Sequence, residues 1–171
     1  MARIGVSVVV LLVAAVSACL ATVPAVQKLL PSANQVAGFT ILKDSLVYGK
    51  GADLAKIYDG GYELYTKAGV IDAAKQMYRR GDDYVEAIVH TMKTEKAALD
   101  FAKYWAKQRG AKLVTSKNLS GFTVTKPNIM GYYVFDKYFV TVSAYYTSAR
   151  PADVDAFAQA TWKNWRKTQT R

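Results

Sequence analysis

The feature that most constrains this chain is a pair of strand-like runs with a tight turn between them. Residues 70–79 and 84–92 read as two strands, and Arg80-Gly81-Asp82 suits a hairpin turn. In the second run Val85, Ala87, Val89 and Thr91 share one face, while Tyr84, Glu86, Ile88 and His90 share the other. A hairpin commits its neighbours to an antiparallel sheet.

Helical spacing flanks that hairpin. Leu54, Ile57, Tyr58, Gly61, Leu64, Tyr65 and Ala68 predict an amphipathic helix over residues 51–68. Gly60-Gly61 in its middle costs helix propensity, about 1 kcal/mol for each glycine against alanine. Thr94 is placed to cap a helix that runs to Arg109 and stops at Gly110, burying Ala98, Phe101, Ala102 and Trp105. Residues 112–116, 122–125, 129–135 and 138–145 then read as strands rich in β-branched and aromatic side chains. Asn118-Leu119-Ser120-Gly121 and Asp136-Lys137 mark the turns. Pro151 opens a last helix that buries Val154, Phe157, Ala158, Thr161, Trp162 and Trp165. One or two short strands fit residues 38–48. The expectation is an α+β domain: a mostly antiparallel sheet of about five to seven strands with about three packed helices, preceded by an N-terminal signal or membrane helix.

The N-terminus reads differently. Arg3 is the only charge before Lys28, and residues 4–16 are an unbroken run of apolar and small residues. A basic start, an apolar run and small residues beyond it make an export signal. The single cysteine, Cys19, follows directly in Val16-Ser17-Ala18-Cys19, which resembles the bacterial lipobox in which the cysteine becomes lipidated. Leucine is the more frequent residue where Val16 stands. Two other readings fit the same residues. Val16-Ser17-Ala18 or Val23-Pro24-Ala25 would suit an ordinary signal peptidase, and residues 4–26 carry no charge over a length that could span a bilayer. All three place the domain outside the cytoplasm. The boundaries that follow are a signal peptide over residues 1–19 (or an uncleaved anchor to about 26), a tether over 20–36, and one domain over 37–171.

Composition narrows the chemistry. Of 171 residues 51% are hydrophobic and 12% aromatic, which fits a chain that buries a core rather than a disordered basic arm, despite a formal net charge of +10. One cysteine permits no internal disulfide, and one histidine builds no multi-histidine metal site. No cofactor or metal is expected. The basic surplus falls at Lys103, Lys107, Arg109, Lys112 and Lys117 and again from Lys163 to Arg171. For an exported domain without a nucleic-acid motif, this favours the membrane, reached through a lipid on Cys19 or the N-terminal helix, and an anionic envelope polymer or protein partner. Nucleic acid is not an expected partner.

The string Ile57-Tyr58-Asp59-Gly60-Gly61-Tyr62-Glu63-Leu64-Tyr65 resembles the signature of an uncharacterised family of bacterial extracytoplasmic, lipoprotein-like domains, in which Gly-Gly-x-Glu-Leu-Tyr is the distinctive part. Met92-Lys93-Thr94-Glu95-Lys96-Ala97-Ala98 and the run from Tyr133 to Val142 look similar to later segments of that family. Tyr62 stands where the family usually has alanine, and Asp136-Lys137 replaces a glycine-containing turn. The resemblance implies the fold and the compartment, and no activity.

Tyr58, Asp59, Gly60, Gly61 and Glu63 form the candidate ligand site. Glycines admit a close ligand, and Asp59 and Glu63 would lie four apart on one helix face. Paired carboxylates could bind a cation or act in acid–base chemistry. The plainer reading has the two glycines letting the helix pack tightly onto the sheet, with Glu63 satisfied by a basic or backbone partner. His90 and Glu86 share a strand face and could shuttle a proton, although a lone strand histidine is more often a packing residue. No Gly-x-Ser-x-Gly or other nucleophile motif is present. The residues weighed for a hydrolase or transferase are Asp59, Glu63 and His90, set against a non-enzymatic binding or structural domain and a carrier of a small apolar ligand. Tyr132, Tyr133, Tyr138, Tyr145 and Tyr146 cluster on the last two strands, and Tyr132 and Tyr133, being adjacent, point to opposite faces.

Overall fold

A computed structural model describes residues 25–58 and 60–170. Seven strands form one antiparallel sheet: β1 (Thr40–Ile41), β2 (Val47–Lys50), β3 (Val70–Arg80), β4 (Asp83–Met92), β5 (Ser120–Val124), β6 (Ile129–Phe135) and β7 (Tyr138–Ala144). Their order is β1-β3-β4-β7-β6-β5, and β2 joins β1 along the outer edge of β3. The helices are α1 (Tyr62–Ala68), α2 (Glu95–Gln108) and α3 (Pro151–Gln169). The architecture is α+β, with the expected antiparallel sheet and three helices.

The hairpin follows from the sequence pattern. Arg80 pairs with Asp83 across a two-residue turn, and the register continues to Ala73 opposite His90. Alternation then sends Val85, Ala87 and Val89 to one core with α3, and Ile88 and Met92 to a second core with α2. The sheet is therefore covered on both faces. The Thr94 hydroxyl accepts the Ala97 amide at 3.0 Å and starts α2. At α3, Pro151 occupies the first turn and the Asp153 carboxylate accepts the Arg150 amide at 2.7 Å.

Three expectations are corrected. The helix over residues 51–68 is two pieces, a 3-10 helix (Gly51–Lys56) and α1: Gly60 (φ 83°) and Gly61 (φ 70°) adopt left-handed backbone that no continuous helix can pass through, and Gly61 caps α1. A methyl group built on either glycine would meet nothing within 4 Å, so backbone conformation, not tight packing, uses them. Residues 112–116 are not a strand. They meet β5 only where Val114 and Gly121 exchange backbone hydrogen bonds of 3.0 and 2.9 Å, after which the Ser120 hydroxyl takes up the Ser116 amide and the chain turns. The expected tether over 20–36 belongs to the domain from Ala25 onward. A 3-10 helix (Ala25–Leu29) buries Val26 and Leu29 in the α3-side core, and the Tyr78 hydroxyl donates to the Pro31 carbonyl at 2.8 Å.

Candidate functional site

On the α2 face, successive cross-strand rows are covered to different extents. Ala73, His90, Phe139 and Val134 make one row, packed in the core beneath α2. The next row is Lys75, Ile88, Thr141 and Tyr132, and beyond it come Met77, Glu86, Ser143 and Met130. Here α2 has ended, and a groove of about 380 Å³ opens over the sheet. The floor comprises Lys75, Glu86, Ile88, Met130, Thr141 and Ser143, and the walls include Tyr58, Gly60, Tyr65, Trp105, Arg109 and Tyr145.

The charges are held by specific partners. Arg109 caps the C-terminus of α2, where its cation complements the helix dipole, and its Nε donates to the Tyr132 hydroxyl at 2.9 Å. Its guanidinium lies 5.5 Å from the Trp105 ring centroid, leaving the two terminal nitrogens for other acceptors. Lys75 Nζ donates to the Ile57 carbonyl at 3.0 Å. The Tyr145 hydroxyl donates to Glu86 at 3.3 Å. Two cations against one carboxylate make the groove electropositive. The Tyr58 hydroxyl and the Trp105 indole nitrogen are buried in this wall without a hydrogen-bond partner among the described residues. Burial drives the Tyr58 hydroxyl far above its ordinary pKa and Tyr65 up to about 12, so both stay protonated.

His90 lies beneath that wall. It is wholly buried, with its ring stacked near Tyr58 and Tyr65, which themselves stack at 3.8 Å. Its Nδ1 is 2.8 Å from the Phe139 carbonyl, so the neutral ring donates there and turns the Nε2 lone pair inward, without a partner among the described residues. Burial lowers its pKa to about 4, against the opposing pull of that hydrogen bond.

Of the residues picked from sequence, Tyr58 and Gly60 line this groove, while Gly61 and Glu63 are exposed at the start of α1. Glu63 and His90 are not brought together: one is in solvent and the other sealed in the core. Asp59 and Cys19 lie outside the described residues. Tyr132 and Tyr133 do take opposite faces, Tyr132 in the groove and Tyr133 in the α3-side core. Sequence reasoning missed Lys75, Arg109 and Thr141. The usable signal was Glu86 with Lys75, charged residues in mid-strand, each between two apolar or aromatic residues of its own face. Among the described residues no cluster of three or more metal-ligating side chains forms, and no helix is long and apolar enough to cross a membrane.

No protein-family model matches the chain, and no curated protein matches it. Among solved structures the chain is similar to the extracellular domain of PknH from Mycobacterium tuberculosis, with 13% identity, a TM-score of 0.58, and coverage of 83% of this chain and 95% of that one. That likeness is one of fold.

Proposed function

We propose that this chain is an exported, membrane-tethered cell-envelope domain that binds a small ligand in the α2-face groove and has no enzymatic activity of its own. The observation that carries the reading is the convergence of Lys75, Glu86, Arg109 and the Tyr132 and Tyr145 hydroxyls, from five separate stretches of the chain, on a stretch of sheet that α2 leaves uncovered. The apolar N-terminal run with Cys19 supports export and tethering, and so does a fold shared with the extracellular domain of PknH. The family resemblance of Gly60-Gly61-Tyr62-Glu63-Leu64-Tyr65 agrees with that compartment.

The groove suits a ligand with an anionic group for Arg109 and Lys75 and a flat apolar part for the Tyr58, Tyr65 and Trp105 wall. A wholly apolar ligand would strip water from Lys75 and Glu86 without replacing it, so a carrier of such a ligand fits the floor poorly. A hydrolase using Glu63 and His90 would need them in one cavity, and they are not.

The test is thermal denaturation of the full chain in detergent with benzoate, hexanoate or glycerol phosphate. At least one anion raises the midpoint of the wild type, and Arg109→Gln abolishes that shift, each protein being compared with its own ligand-free midpoint because Arg109 also holds Tyr132 and the end of α2. If none of the three moves the wild-type midpoint, the groove is not an anion-binding site.

A further inference from the structure

We propose that the outward face of the C-terminal half of α3, together with the adjoining N-terminal 3-10 helix, is the surface on which this domain rests against an anionic lipid bilayer. Two independent observations converge there.

The first is where the chain enters the domain. Its 3-10 helix (Ala25–Leu29) is fixed to α3 by the Asn164 side-chain amide, which donates to the Leu29 and Leu30 carbonyls at 3.2 and 3.1 Å. Val26 and Leu29 are in the core beside it. The described chain therefore begins, at Ala25, on this side of the molecule.

The second is charge. Lys28, Lys163 and Lys167 are exposed, and Lys163 and Lys167, four apart, share the stripe of α3 that faces away from the sheet. No acidic residue occurs in residues 25–43 or 156–170. None of the three lysines is in an ion pair among the described residues. Two lysines of α2 differ: Lys96 and Lys103 lie 2.5 and 3.9 Å from the one Asp100 carboxylate, which offsets part of their charge within their own helix. Arg166 extends the basic stripe with its guanidinium 5.7 Å over the half-buried Trp162 ring, an amphipathic pair of the kind that settles at headgroup level. Arg166 also borders a cleft containing Glu95 and Asp136, so the three lysines carry the patch.

Basic residues within a Debye length of an anionic leaflet are each attracted to it, and a tether that holds them there removes the entropy cost of finding it. In this orientation the sheet stands between the bilayer and the α2-face groove, which opens away from the membrane. The inference rests on the reading that the chain before Ala25 is the tether, and the experiment separates the two.

The full chain is mixed with phosphatidylcholine vesicles, with or without phosphatidylglycerol, and recovered by flotation. Exposed lysines are then acetylated briefly and quantified by mass spectrometry. Tethering is read from flotation with neutral vesicles at high salt. The docking face is read from the footprint on anionic vesicles. Lys28, Lys163 and Lys167 lose about threefold or more of their reactivity relative to neutral vesicles, and regain it in high salt, while Lys96 and Lys103 do not change. Lys163→Glu/Lys167→Glu abolishes the protection of Lys28. Failure to float with neutral vesicles would remove the tether alone. Uniform protection of all lysines, or none at these three, overturns the docking face. Equal protection by soluble heparin with neutral vesicles would make the patch a general polyanion site and also overturn the lipid assignment.

Discussion

The Tyr133 hydroxyl donates to the Asp155 carboxylate, tying β6 to the first turns of α3. The tyrosine ring reaches α3 by lying across its own strand: a methyl group built on Gly131 would come within 2.3 Å of it, and one on Gly121 within 2.5 Å. Burial, and then the neighbouring carboxylate, push the hydroxyl's pKa up, so it remains a donor across neutral pH. Gly131→Ala is expected to cost about 1–3 kcal/mol by overpacking, a fall in Tm of roughly 2–4 °C per kcal/mol. Tyr133→Phe keeps the ring, and its cost is about 1 kcal/mol because the exposed Asp155 regains water. Thermal denaturation orders the two variants, and an unchanged Gly131→Ala would mean the ring is free to swing aside.

His90 makes stability depend on pH. Its folded pKa of about 4 lies below its unfolded value of 6.5, so below 6.5 the unfolded chain binds the extra proton. The contribution is intact above pH 6.5, is lost as pH falls, and levels off below about 4, amounting to about 3 kcal/mol. His90→Phe removes this slope. Urea denaturation of both proteins at pH 7, 5 and 4 isolates it, since carboxylate titration cancels in the difference. Parallel profiles for the two would mean that His90 is reached by water in the folded state.

The hairpin, α2 and α3 were legible because period and caps agree: alternation in residues 84–92, Thr94 before α2, Pro151 opening α3. The break at Gly60-Gly61 was not, because apolar spacing runs through it as though the helix were continuous. Residues 25–30 read as part of the tether over 20–36, and only tertiary contacts, the burial of Val26 and Leu29 and the hydrogen bonds from Asn164, distinguish them from a linker. The groove was largely hidden. Its members are contributed by β3, β4, β6, β7, α1 with the loop before it, and the end of α2, and only strand register places Lys75 beside Ile88 and Glu86 beside Ser143. Tyr58 and Gly60 were found for their local chemistry, and they line its rim.

The left-handed pair at the head of α1 is testable by side chain. Gly61 sits at φ 70° with open space around it, so a substitution there is penalised by backbone conformation and not by collision. Gly61→Val should cost about 1–2 kcal/mol and Gly61→Asn distinctly less, asparagine being tolerated in this region. Equal midpoints for the two in thermal denaturation would show that the backbone is not held there.

Cys19 separates the three readings of the N-terminus. Under the lipid reading, a fatty-acid analogue supplied during growth labels the wild type and not Cys19→Ala, and the mutant is released from membranes unless its apolar run is retained. Label that persists in Cys19→Ala removes the lipid reading and leaves the helix or the released form.

Asn164 makes the sharpest demand on one side chain. Its amide donates to the Leu29 and Leu30 carbonyls and to Gln35 Oε1, and its own oxygen accepts from Gln35 Nε2 at 2.8 Å. Asn164→Ala withdraws the donor from two partly buried carbonyls, at a cost of about 1–3 kcal/mol. Asn164→Asp keeps the shape but sets a carboxylate against those carbonyls, and is therefore the more destabilising of the two. The loss should be local before it is global: amide exchange in residues 25–30 rises in both variants while that of β4 holds. If Asp is tolerated better than Ala, water has replaced the amide, and the 3-10 helix is held by Val26 and Leu29 alone.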